Sequence, residues 1–340
     1  MQAIQVQEPG KLSIVEMEKP QISSPNDVLV QVQCVGICGS DVHIYHGSNP
    51  FTVYPRVIGH EVSGVVAEIG EDVAFLQVGD RVSLEPIEYC GTCYACRKGQ
   101  QNVCESLQVF GVHKDGGMSE FVKAHEQKWH KVNESISAEA AALIEPLTIG
   151  AQAAFRGGIQ PGDTVFIMGA GPTGIACLLM AKEAGAYVMI SDFNTVRLDY
   201  ASSIGADAVF QPNKEDIEEA IYKETKGELA NIVIDAVGTA GTFEQAVRLA
   251  SVAGTVVTLG FNETPSHIPS LLLTKKELRV VGSRLQTNQF KGVVEKVNEG
   301  IISPDELISH RFHFRKVDEA FKKLEEHPEE VRKIVLTFNE

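Results

Sequence analysis

Four cysteines lie close together in the segment CGTCYACRKGQQNVC, at a spacing that is typical of a metal site. They are Cys90, Cys93, Cys96 and Cys104. Four thiolates at short loop spacing would complete a closed tetrahedral shell around zinc and leave no position open for a substrate. The pattern therefore predicts a structural zinc ion. A catalytic site would have to lie elsewhere in the chain.

A second set of metal-ligating residue types is spread more widely. Cys38 follows an apolar run in VGICGSD, and His60 and Glu61 open another in RVIGHEVSG. Glu145 lies further on, in LIEPLTIG. A thiolate, an imidazole and one or two carboxylates are suitable zinc ligands, and fewer than four fixed ligands leave room for water or an alcohol. Each residue alone is more often structural, but beside the cysteine cluster they predict a catalytic zinc site.

Length and composition narrow the class of protein. The 340 residues are enough for about two domains, and 44% hydrophobic with 22% charged residues is typical of soluble globular proteins. The 45 acidic and 30 basic residues give a net charge of −15, which disfavours nucleic acid or anionic lipid as a partner. The sequence has neither a signal-peptide pattern nor an apolar run of about 18–20 residues. We therefore predict a cytoplasmic protein whose cysteines are reduced.

The sequence pattern changes near residue 150. Before it, short apolar runs broken by Gly and Pro predict a mostly β region. After it, strand and helix patterns alternate, which predicts an α/β fold with a doubly wound parallel sheet. Six strands complete such a sheet, so the tail is expected to return to the first domain. The predicted domains are residues 1–150 with 290–340, including a structural-zinc lobe at about 88–106, and a Rossmann domain at 151–289.

A dinucleotide-binding motif opens the second domain. Gly169, Gly171 and Gly174 form a Gly-x-Gly-x-x-Gly pattern between the apolar strand TVFIM and an apolar helix. In this context the glycines permit a tight turn, a close approach to the pyrophosphate, and the packing of helix on strand. The helix amino terminus would supply N–H groups to the phosphates.

An acidic residue after the next strand bears on the choice of cofactor. Asp192 lies 23 residues beyond Gly169. A carboxylate there can accept both hydroxyls of the adenosine ribose and would repel the 2′-phosphate of NADP. Arg197 lies close enough in sequence to hold a 2′-phosphate instead. The sequence favours NAD and leaves NADP open.

The whole chain resembles the zinc-dependent medium-chain dehydrogenases, the superfamily of alcohol, polyol and threonine dehydrogenases. GICGSD, GHEVSG, the four-cysteine lobe, the EP dipeptide and GAGPTG occur in the family's order and at its spacings. The resemblance implies a GroES-like catalytic domain joined to the Rossmann domain. It also implies two zinc ions per chain and assembly as a homodimer or homotetramer.

The resemblance assigns the proposed metal ligands. Cys38, His60 and Glu61 would bind the catalytic zinc. Glu145 would be a further ligand, direct or through water. Zinc would lower the pKa of a substrate hydroxyl, whose carbon then passes hydride to the nicotinamide.

Residues near Cys38 match the family's proton-transfer groups. Ser40 matches the hydroxyl that hydrogen-bonds the bound alcohol, and His43 matches the group that carries the proton outward. Asp41 would orient His60, although Ser40 and Asp41 could instead cap a helix. The resemblance also adds cofactor contacts to the motif glycines, Asp192 and Arg197: Pro172, Thr173, Val237, Gly260, Ser283 and Arg284.

The segment VFGVHKDGGMSEF resembles a loop in bacterial members that oxidise hexonates, notably the L-galactonate 5-dehydrogenase and RspB-like branch. We therefore predict oxidation of a secondary hydroxyl of a sugar acid or polyol to the ketone, with His113 in this loop as a candidate substrate contact. Three alternatives stay open. They are a threonine, sorbitol or simple alcohol dehydrogenase, a zinc-free quinone or enone reductase, and a non-catalytic dinucleotide sensor.

Overall fold

The computed structural model describes residues 1–339. They form two compact units, one of Met1–Glu145 with the segment from Phe290 onward, and the other of Pro146–Gln289. The sequence analysis placed the first boundary after residue 150 instead of 145, and the second after residue 289. All proposed metal ligands belong to the first unit, and all proposed cofactor contacts belong to the second.

The amino-terminal part of the first unit is rich in short strands. The strands are β1 (Gln2–Glu8), β2 (Lys11–Glu16), β3 (Asp27–Gly36), β4 (Arg56–Val57), β5 (Glu61–Ile69), β6 (Arg81–Leu84), β7 (Ile87–Glu88), β8 (Gln108–Val109), β9 (Phe121–His125) and β10 (Trp129–Lys131). The helices are α1 (Gly39–Tyr45), α2 (Tyr94–Arg97) and α3 (Ala138–Ala142), and α4 (Ile144–Gly157) crosses into the second unit.

Strands and helices alternate through the second unit. They are β11 (Thr164–Met168), α5 (Pro172–Glu183), β12 (Tyr187–Ser191), α6 (Thr195–Ser203), β13 (Ala208–Phe210), α7 (Ile217–Glu224), β14 (Ala230–Asp235), α8 (Ala240–Leu249), β15 (Ala250–Thr258), α9 (Ser270–Lys276) and β16 (Arg279–Gly282). The tail adds α10 (Phe290–Asn298), β17 (Ile308–His313), α11 (Val317–Glu326) and β18 (Lys333–Thr337).

One large sheet organises the first unit. Its order within residues 1–339 is β10-β6-β5-β3-β18-β17, with β9 also paired to β3. The long strand β3 pairs with β9 through its first half and with β18 through its last residues, while β5 covers its other edge. The tail strand β18 therefore lies beside β3 although some 300 residues of sequence separate them.

A parallel sheet organises the second unit, in the order β13-β12-β11-β14-β15-β16 among the described residues. Strand β11 reads TVFIM, and its residues from Val165 to Met168 are buried, as a strand covered on both faces requires. The direction of strand addition reverses between β11 and β14. This is the Rossmann order, in which ligands bind beyond the carboxyl ends of the strands near the reversal. The predicted α/β fold class is confirmed.

Two helices lie where the sequence analysis predicted mostly β structure. The segment AEAAALIEPLTIG forms α3 and the start of α4. Its alanines favour helix, and Ser137 caps α3 by accepting a hydrogen bond from the Ala140 N–H at 3.0 Å. Pro146 lies in the first turn of α4, where its missing N–H costs nothing. In the part of the chain that the structure describes, no helix is long and apolar enough to span a bilayer.

The core of the second unit provides a test of stability. Phe166 of β11 is fully buried and lies edge to face with Phe210 at 6.4 Å. Replacing it by alanine removes most of a buried ring and leaves a cavity, so Phe166→Ala should lower the free energy of unfolding by about 3–5 kcal/mol. Urea unfolding followed by circular dichroism measures the change. The matched control is Phe155→Ala, because Phe155 is 67% exposed and its loss should cost under about 0.5 kcal/mol. Equal effects of the two changes would contradict the packing described here.

Candidate metal centre and dinucleotide site

The four clustered cysteines converge on one point. One sulfur from each lies within 4.8 Å of all the others, and the Cys104 Sγ lies 3.5 Å from that of Cys90 and 3.9 Å from that of Cys93. A tetrahedron with Zn–S bonds of about 2.3 Å has sulfurs about 3.8 Å apart. The four thiols therefore have the separation that a closed zinc site requires.

Backbone donors prepare this cluster for a cation. The Cys90 Sγ accepts hydrogen bonds from the N–H groups of Thr92 at 3.4 Å and Cys93 at 3.3 Å. These donors lower the pKa of Cys90 to about 6, so the thiolate is its ordinary form near neutral pH. Burial raises the pKa of Cys96 to about 12 in the absence of a metal. A bound zinc would reverse that preference, because a coordinated thiol is deprotonated.

Cys38, His60 and Glu61 form a second cluster, whose ligand atoms also lie within 4.8 Å of one another. Cys38 lies just beyond the end of β3, at the start of α1, while His60 precedes β5 and Glu61 begins it. The two segments meet because Gly36 of β3 pairs with Glu61 of β5. The structure therefore brings together the three residues that the sequence proposed as ligands.

Asp41 connects the two segments that carry the cluster. Its carboxylate is fully buried and accepts hydrogen bonds from the Cys38 N–H at 2.8 Å and the Gly59 N–H at 3.0 Å. Its Oδ1 lies 3.9 Å from the Nδ1 of His60. Asp41 thus caps α1 and also lies beside the imidazole of His60. Helix capping and contact with His60, which the sequence analysis gave as alternatives, are both present.

Neighbouring charges act strongly on His60. Burial disfavours its protonated form, but the Cys38 thiolate, and then Asp41 and Glu145, outweigh burial and raise the pKa of His60 well above its usual value. Burial and the charge of Glu61 raise the pKa of Glu145 to about 7, against the opposing charges of His60 and Lys333. A buried site that holds protons so tightly is dense in negative charge, as a cation-binding site must be.

The sequence analysis missed Lys333, the first residue of β18. Its Nζ lies 2.5 Å from the Oε1 of Glu61, and both side chains are at most 4% exposed. Burial opposes its charge, but Glu61 and Cys38 more than compensate and raise the pKa of Lys333 above its usual value. The sequence does show a lysine at the start of the apolar run KIVLTF, which could have indicated a buried charge. The partner of that charge depends on which strands lie beside β18, and the sequence alone does not give that pairing.

The two proposed proton-transfer residues lie on α1. The Oγ of Ser40 is buried and has no hydrogen-bond partner within residues 1–339. His43 is exposed, and its Nδ1 lies 3.0 Å from the Oγ of Ser48. The pair therefore runs from an unsatisfied buried hydroxyl to an imidazole at the surface, three residues further along the helix.

The loop that carries His113 packs on the segment just before His60. The Gly117 N–H donates to the Gly59 carbonyl at 2.8 Å. Gly111 has a φ of +76°, and a Cβ there would lie 2.7 Å from backbone atoms of Gly59. Only glycine permits so close an approach. The loop is thereby fixed against the polypeptide that positions the second cluster.

The side chain of His113 is held by two contacts within its own unit. Its Nδ1 accepts a hydrogen bond from the Val109 N–H at 3.2 Å, and its ring stacks on Phe51 at 5.7 Å. Phe51 is 49% exposed. An aromatic ring that is half open to solvent beside an oriented imidazole is a suitable surface for a polar ligand with an apolar face.

The proposed cofactor residues lie together at one edge of the parallel sheet, beyond the carboxyl ends of its strands. They are Gly169, Gly171, Pro172, Thr173 and Gly174 after β11, Asp192 and Arg197 after β12, Val237 after β14, Gly260 after β15, and Ser283 and Arg284 after β16. Because the strands are parallel, residues far apart in sequence come to the same edge.

The structure requires glycine at two of the three motif positions, for a different reason at each. Gly169 has a φ of +95°, which an L side chain rarely adopts. A Cβ at Gly174 would lie 1.8 Å from the Gly169 carbonyl oxygen, so this close contact needs glycine. A Cβ at Gly171 would meet nothing within 4 Å. Gly169 and Gly174 are therefore required by the fold, whereas Gly171 leaves open space at the amino terminus of α5.

Asp192 helps to hold the glycine turn after β11. Its Oδ2 accepts a hydrogen bond from the Ala170 N–H at 2.8 Å, and its Oδ1 accepts one from the Asn194 N–H at 2.9 Å. Arg197 lies 3.9 Å from Oδ2. A carboxylate has about four acceptor positions, so two remain in principle for ribose hydroxyls.

A buried carboxylate that the sequence analysis missed holds the loop that carries Val237. Asp235, fully buried at the end of β14, accepts hydrogen bonds from the N–H groups of Val237 at 3.1 Å and Gly238 at 2.9 Å. Gly238 packs on Gly260, where a Cβ would lie 2.1 Å from the Gly238 Cα. Arg284 lies over the ring of Phe261 at 5.9 Å. The loops after β14 and β15 therefore touch at the same edge.

Known proteins match this chain over most of its length. Residues 24–134 match the alcohol dehydrogenase GroES-like domain, and residues 172–299 match the zinc-binding dehydrogenase model. The starvation-sensing protein RspB of Escherichia coli K12 is 40% identical over 344 residues, covering 100% of each chain. The chain belongs to the zinc-binding dehydrogenases. The predicted family and GroES-like fold are confirmed, and the protein is an oxidoreductase of the zinc-dependent alcohol dehydrogenase family.

Other relatives of this zinc-binding dehydrogenase are similar over nearly their full length. L-galactonate-5-dehydrogenase of E. coli K12 is 35% identical over 339 residues, 99% of each chain. The crystal structure of RspB from E. coli CFT073 in complex with NADH is 39% identical, with a TM-score of 0.94 over 99% of each chain. A zinc-binding dehydrogenase of Sinorhizobium meliloti 1021 bound to NADP is 30% identical, with a TM-score of 0.93 over 99% of this chain and 98% of that one.

The glycine geometry of this zinc-binding dehydrogenase gives a paired prediction. Gly171→Ala should keep the melting temperature, because its Cβ meets no atom, yet weaken NADH binding at least about tenfold by filling the space before α5. Gly174→Ala should lower both, because its Cβ would strike the Gly169 carbonyl. Thermal unfolding and NADH fluorescence titration measure the two properties. Undiminished NADH binding by Gly171→Ala would show that the cofactor does not approach there.

Proposed function

We propose that the protein is a zinc-dependent, NAD-linked dehydrogenase that oxidises a secondary hydroxyl of a sugar acid, such as a hexonate, or of a polyol to the ketone. The observation that carries the proposal is the cluster of Cys38, His60 and Glu61. One of its buried ligand atoms, the Glu61 Oε2, has no hydrogen-bond partner among the described residues, while the Nδ1 of His60 faces Asp41 at 3.9 Å. Buried polar atoms left unpaired are costly, and a metal ion would satisfy such atoms.

The donor set fits a catalytic zinc. One thiolate, one imidazole and one carboxylate are three zinc ligands, and Glu145 stands near enough to influence their charges. The four-cysteine cluster fits a closed structural zinc, which would make two ions per chain. We further propose that the first unit is the catalytic domain and that Pro146–Gln289 binds the dinucleotide.

When bound at this cluster, zinc would lower the pKa of a substrate hydroxyl toward neutrality. The protein must then move one proton and position one hydride donor. In this proposal the buried, unpartnered Oγ of Ser40 would accept the hydroxyl's hydrogen bond, and the exposed imidazole of His43 would release the proton to water. The nicotinamide ring, when bound, would accept the hydride from the substrate carbon. The products are a ketone, NADH and one proton.

Asp192 supports NAD as the cofactor. Its carboxylate stands at the end of β12, where a 2′-phosphate would meet a negative charge. The relative bound to NADH is more similar to this chain, at 39% identity, than the relative bound to NADP, at 30%. Arg197, 3.9 Å from Asp192, is engaged with that carboxylate and is therefore less suited to a phosphate.

Relatives and the His113 loop together support a polyhydroxylated substrate. One relative is named L-galactonate-5-dehydrogenase, and others, 36% identical over 313 to 315 residues, are named D-xylulose reductase. Because the Nδ1 of His113 accepts from the Val109 N–H, its Nε2–H can donate a hydrogen bond to a carboxylate or a hydroxyl, while Phe51 offers an apolar face. A hexonate has both features. A polyol lacks the carboxylate and is the second candidate.

Removing the cysteine ligand tests the metal centre. Cys38→Ser should reduce zinc from about two ions to about one per chain and abolish NAD-linked oxidation, while the fold survives because the cysteine cluster keeps its own ion. Plasma emission spectrometry and NADH absorbance measure the two outcomes. Cys177→Ala is the control, because Cys177 is buried in α5 and belongs to neither cluster, so this variant should keep both ions. Full activity in Cys38→Ser would exclude the mechanism.

A substrate panel tests the role of His113. We expect the highest kcat/KM for a hexonate among hexonates, polyols, threonine and simple alcohols. His113→Ala should lower that kcat/KM about tenfold or more, by removing a contact to the carboxylate. The control is Lys114→Met in the same loop, because Lys114 is paired with Glu88 at 2.9 Å. Equal kcat/KM values for His113→Ala and the unmodified enzyme would remove His113 from the substrate site.

A further inference from the structure

The side chain of Glu61 spans two strand neighbours. Glu61 of β5 pairs with Gly36 of β3, and on the other side Gly36 pairs with Val335 of β18. Lys333 lies on the same strand as Val335 and binds the Oε1 of Glu61 at 2.5 Å. The carboxylate of Glu61 therefore extends over Gly36 to reach a cation on the strand beyond.

Gly36 makes this crossing possible. A Cβ at Gly36 would lie 2.0 Å from the Oε2 of Glu61 and 2.9 Å from the Cδ2 of Leu143. Its backbone is an ordinary strand conformation, so the need for glycine arises from space alone. Any larger residue would push the carboxylate off β3.

The two oxygens of Glu61 have different surroundings. Oε1 accepts a hydrogen bond from Lys333, whose Nζ also donates to the Ile37 carbonyl at 3.2 Å and is thereby fixed from two directions. Oε2 is buried and has no hydrogen-bond partner within residues 1–339. Only Oε2 remains to meet a metal ion at the cluster with Cys38 and His60.

We propose that Gly36 and Lys333 form a clamp that leaves Glu61 a single oxygen for the metal, and so keeps one coordination position open for the substrate hydroxyl. This inference rests on the function proposed above. A catalytic zinc needs an open position, and a carboxylate can bind a metal through one or both oxygens. The clamp prevents the second oxygen from closing the site. Lys333 is a positioning residue, since it acts through Glu61.

Removing Lys333 should have two physical effects, both of which change zinc binding in the same direction. Without the ammonium group, Oε1 is released to bind the metal as well. The loss also removes a positive charge from beside a divalent cation. Both effects strengthen zinc binding and fill the open position. A merely structural lysine would have the opposite effect, because its loss would leave Glu61 misplaced and weaken the site.

The test compares Lys333→Met with the unmodified holoenzyme. Zinc release to a chromophoric chelator should become at least about tenfold slower for the catalytic ion, while kcat falls about 10- to 100-fold, the usual range for partners of metal ligands. The Cys38→Ser protein, which should hold only the structural ion, identifies that ion's release. Lys333→Arg keeps a cation and should restore most of kcat. Faster release from Lys333→Met, or an unchanged kcat, would overturn the clamp.

Combining Lys333→Met with Glu61→Gln tests whether Lys333 acts on the metal through Glu61. In Glu61→Gln, adding Lys333→Met should slow zinc release clearly less than it does beside the native Glu61, because the carboxylate that Lys333 restrains is gone and only the loss of a positive charge remains. The absorption spectrum of the cobalt-substituted protein should change shape in Lys333→Met but not between Glu61→Gln and the double variant. An equal effect of Lys333→Met in both backgrounds would show that Lys333 does not act through Glu61.

Gly36→Ala tests the clamp from the β3 side, in case Lys333→Met fails to fold. Its Cβ should displace Oε2 and crowd Leu143, giving about tenfold faster zinc release together with a lower melting temperature. Gly39→Ala is the control for zinc release, because a Cβ there would meet nothing within 4 Å. Unchanged release in Gly36→Ala would overturn the clamp.

The failure of the clamp and the failure of the proposed function can be distinguished. If Cys38→Ser keeps both zinc ions, the proposed metal centre fails. If Cys38→Ser loses one ion while the clamp variants behave like the unmodified enzyme, only the clamp fails.

Discussion

The register of β3 between β5 and β18 is the constraint on which the metal centre depends. It places Glu61 opposite Gly36 and brings Lys333 to the far side of the same strand. Cys38 then follows β3 directly, at the amino end of α1. A shift of one residue in either pairing would turn the side chains to the other face of the sheet and separate the cluster. The site is therefore built by strand pairing, and the loops add only the final positions.

The second unit depends on a comparable constraint of a different kind. In a parallel sheet every strand presents its carboxyl end at the same edge, so five separate loops can contribute to one binding surface. Carboxylates near the strand ends keep two of those loops in place. Asp235 binds the backbone that follows β14, and Asp192 binds the backbone of the glycine turn. Asp192 therefore supports the turn from the end of β12, and the same position is the one from which we propose that it selects NAD.

The sequence permits prediction where the chemistry is local. The four cysteines lie within one short segment, and the glycine motif lies at one strand-to-helix turn, so spacing alone indicates their geometry. Cys38 and His60 required comparison with a known family, because nothing local joins them. Lys333 and Gly36 could not be predicted, since their roles depend on a pairing between β3 and β18 across some 300 residues. Helix α3 was missed for a simpler reason: its alanines were read only as part of a β-rich region.

The buried pair of Lys333 and Glu61 is difficult to explain by stability. Removing two charges from water costs several kcal/mol for each ion, and well-packed apolar residues often serve stability as well or better. The pair lies among three further acidic groups, Cys38, Asp41 and Glu145, and in the empty site a protonated His60 helps Lys333 to offset their negative charge. A bound divalent cation would displace the proton of His60 and offset that charge instead. An arrangement that holds protons where a cation would bind is suited to a metal, and the lysine then determines how much of the carboxylate that metal can use.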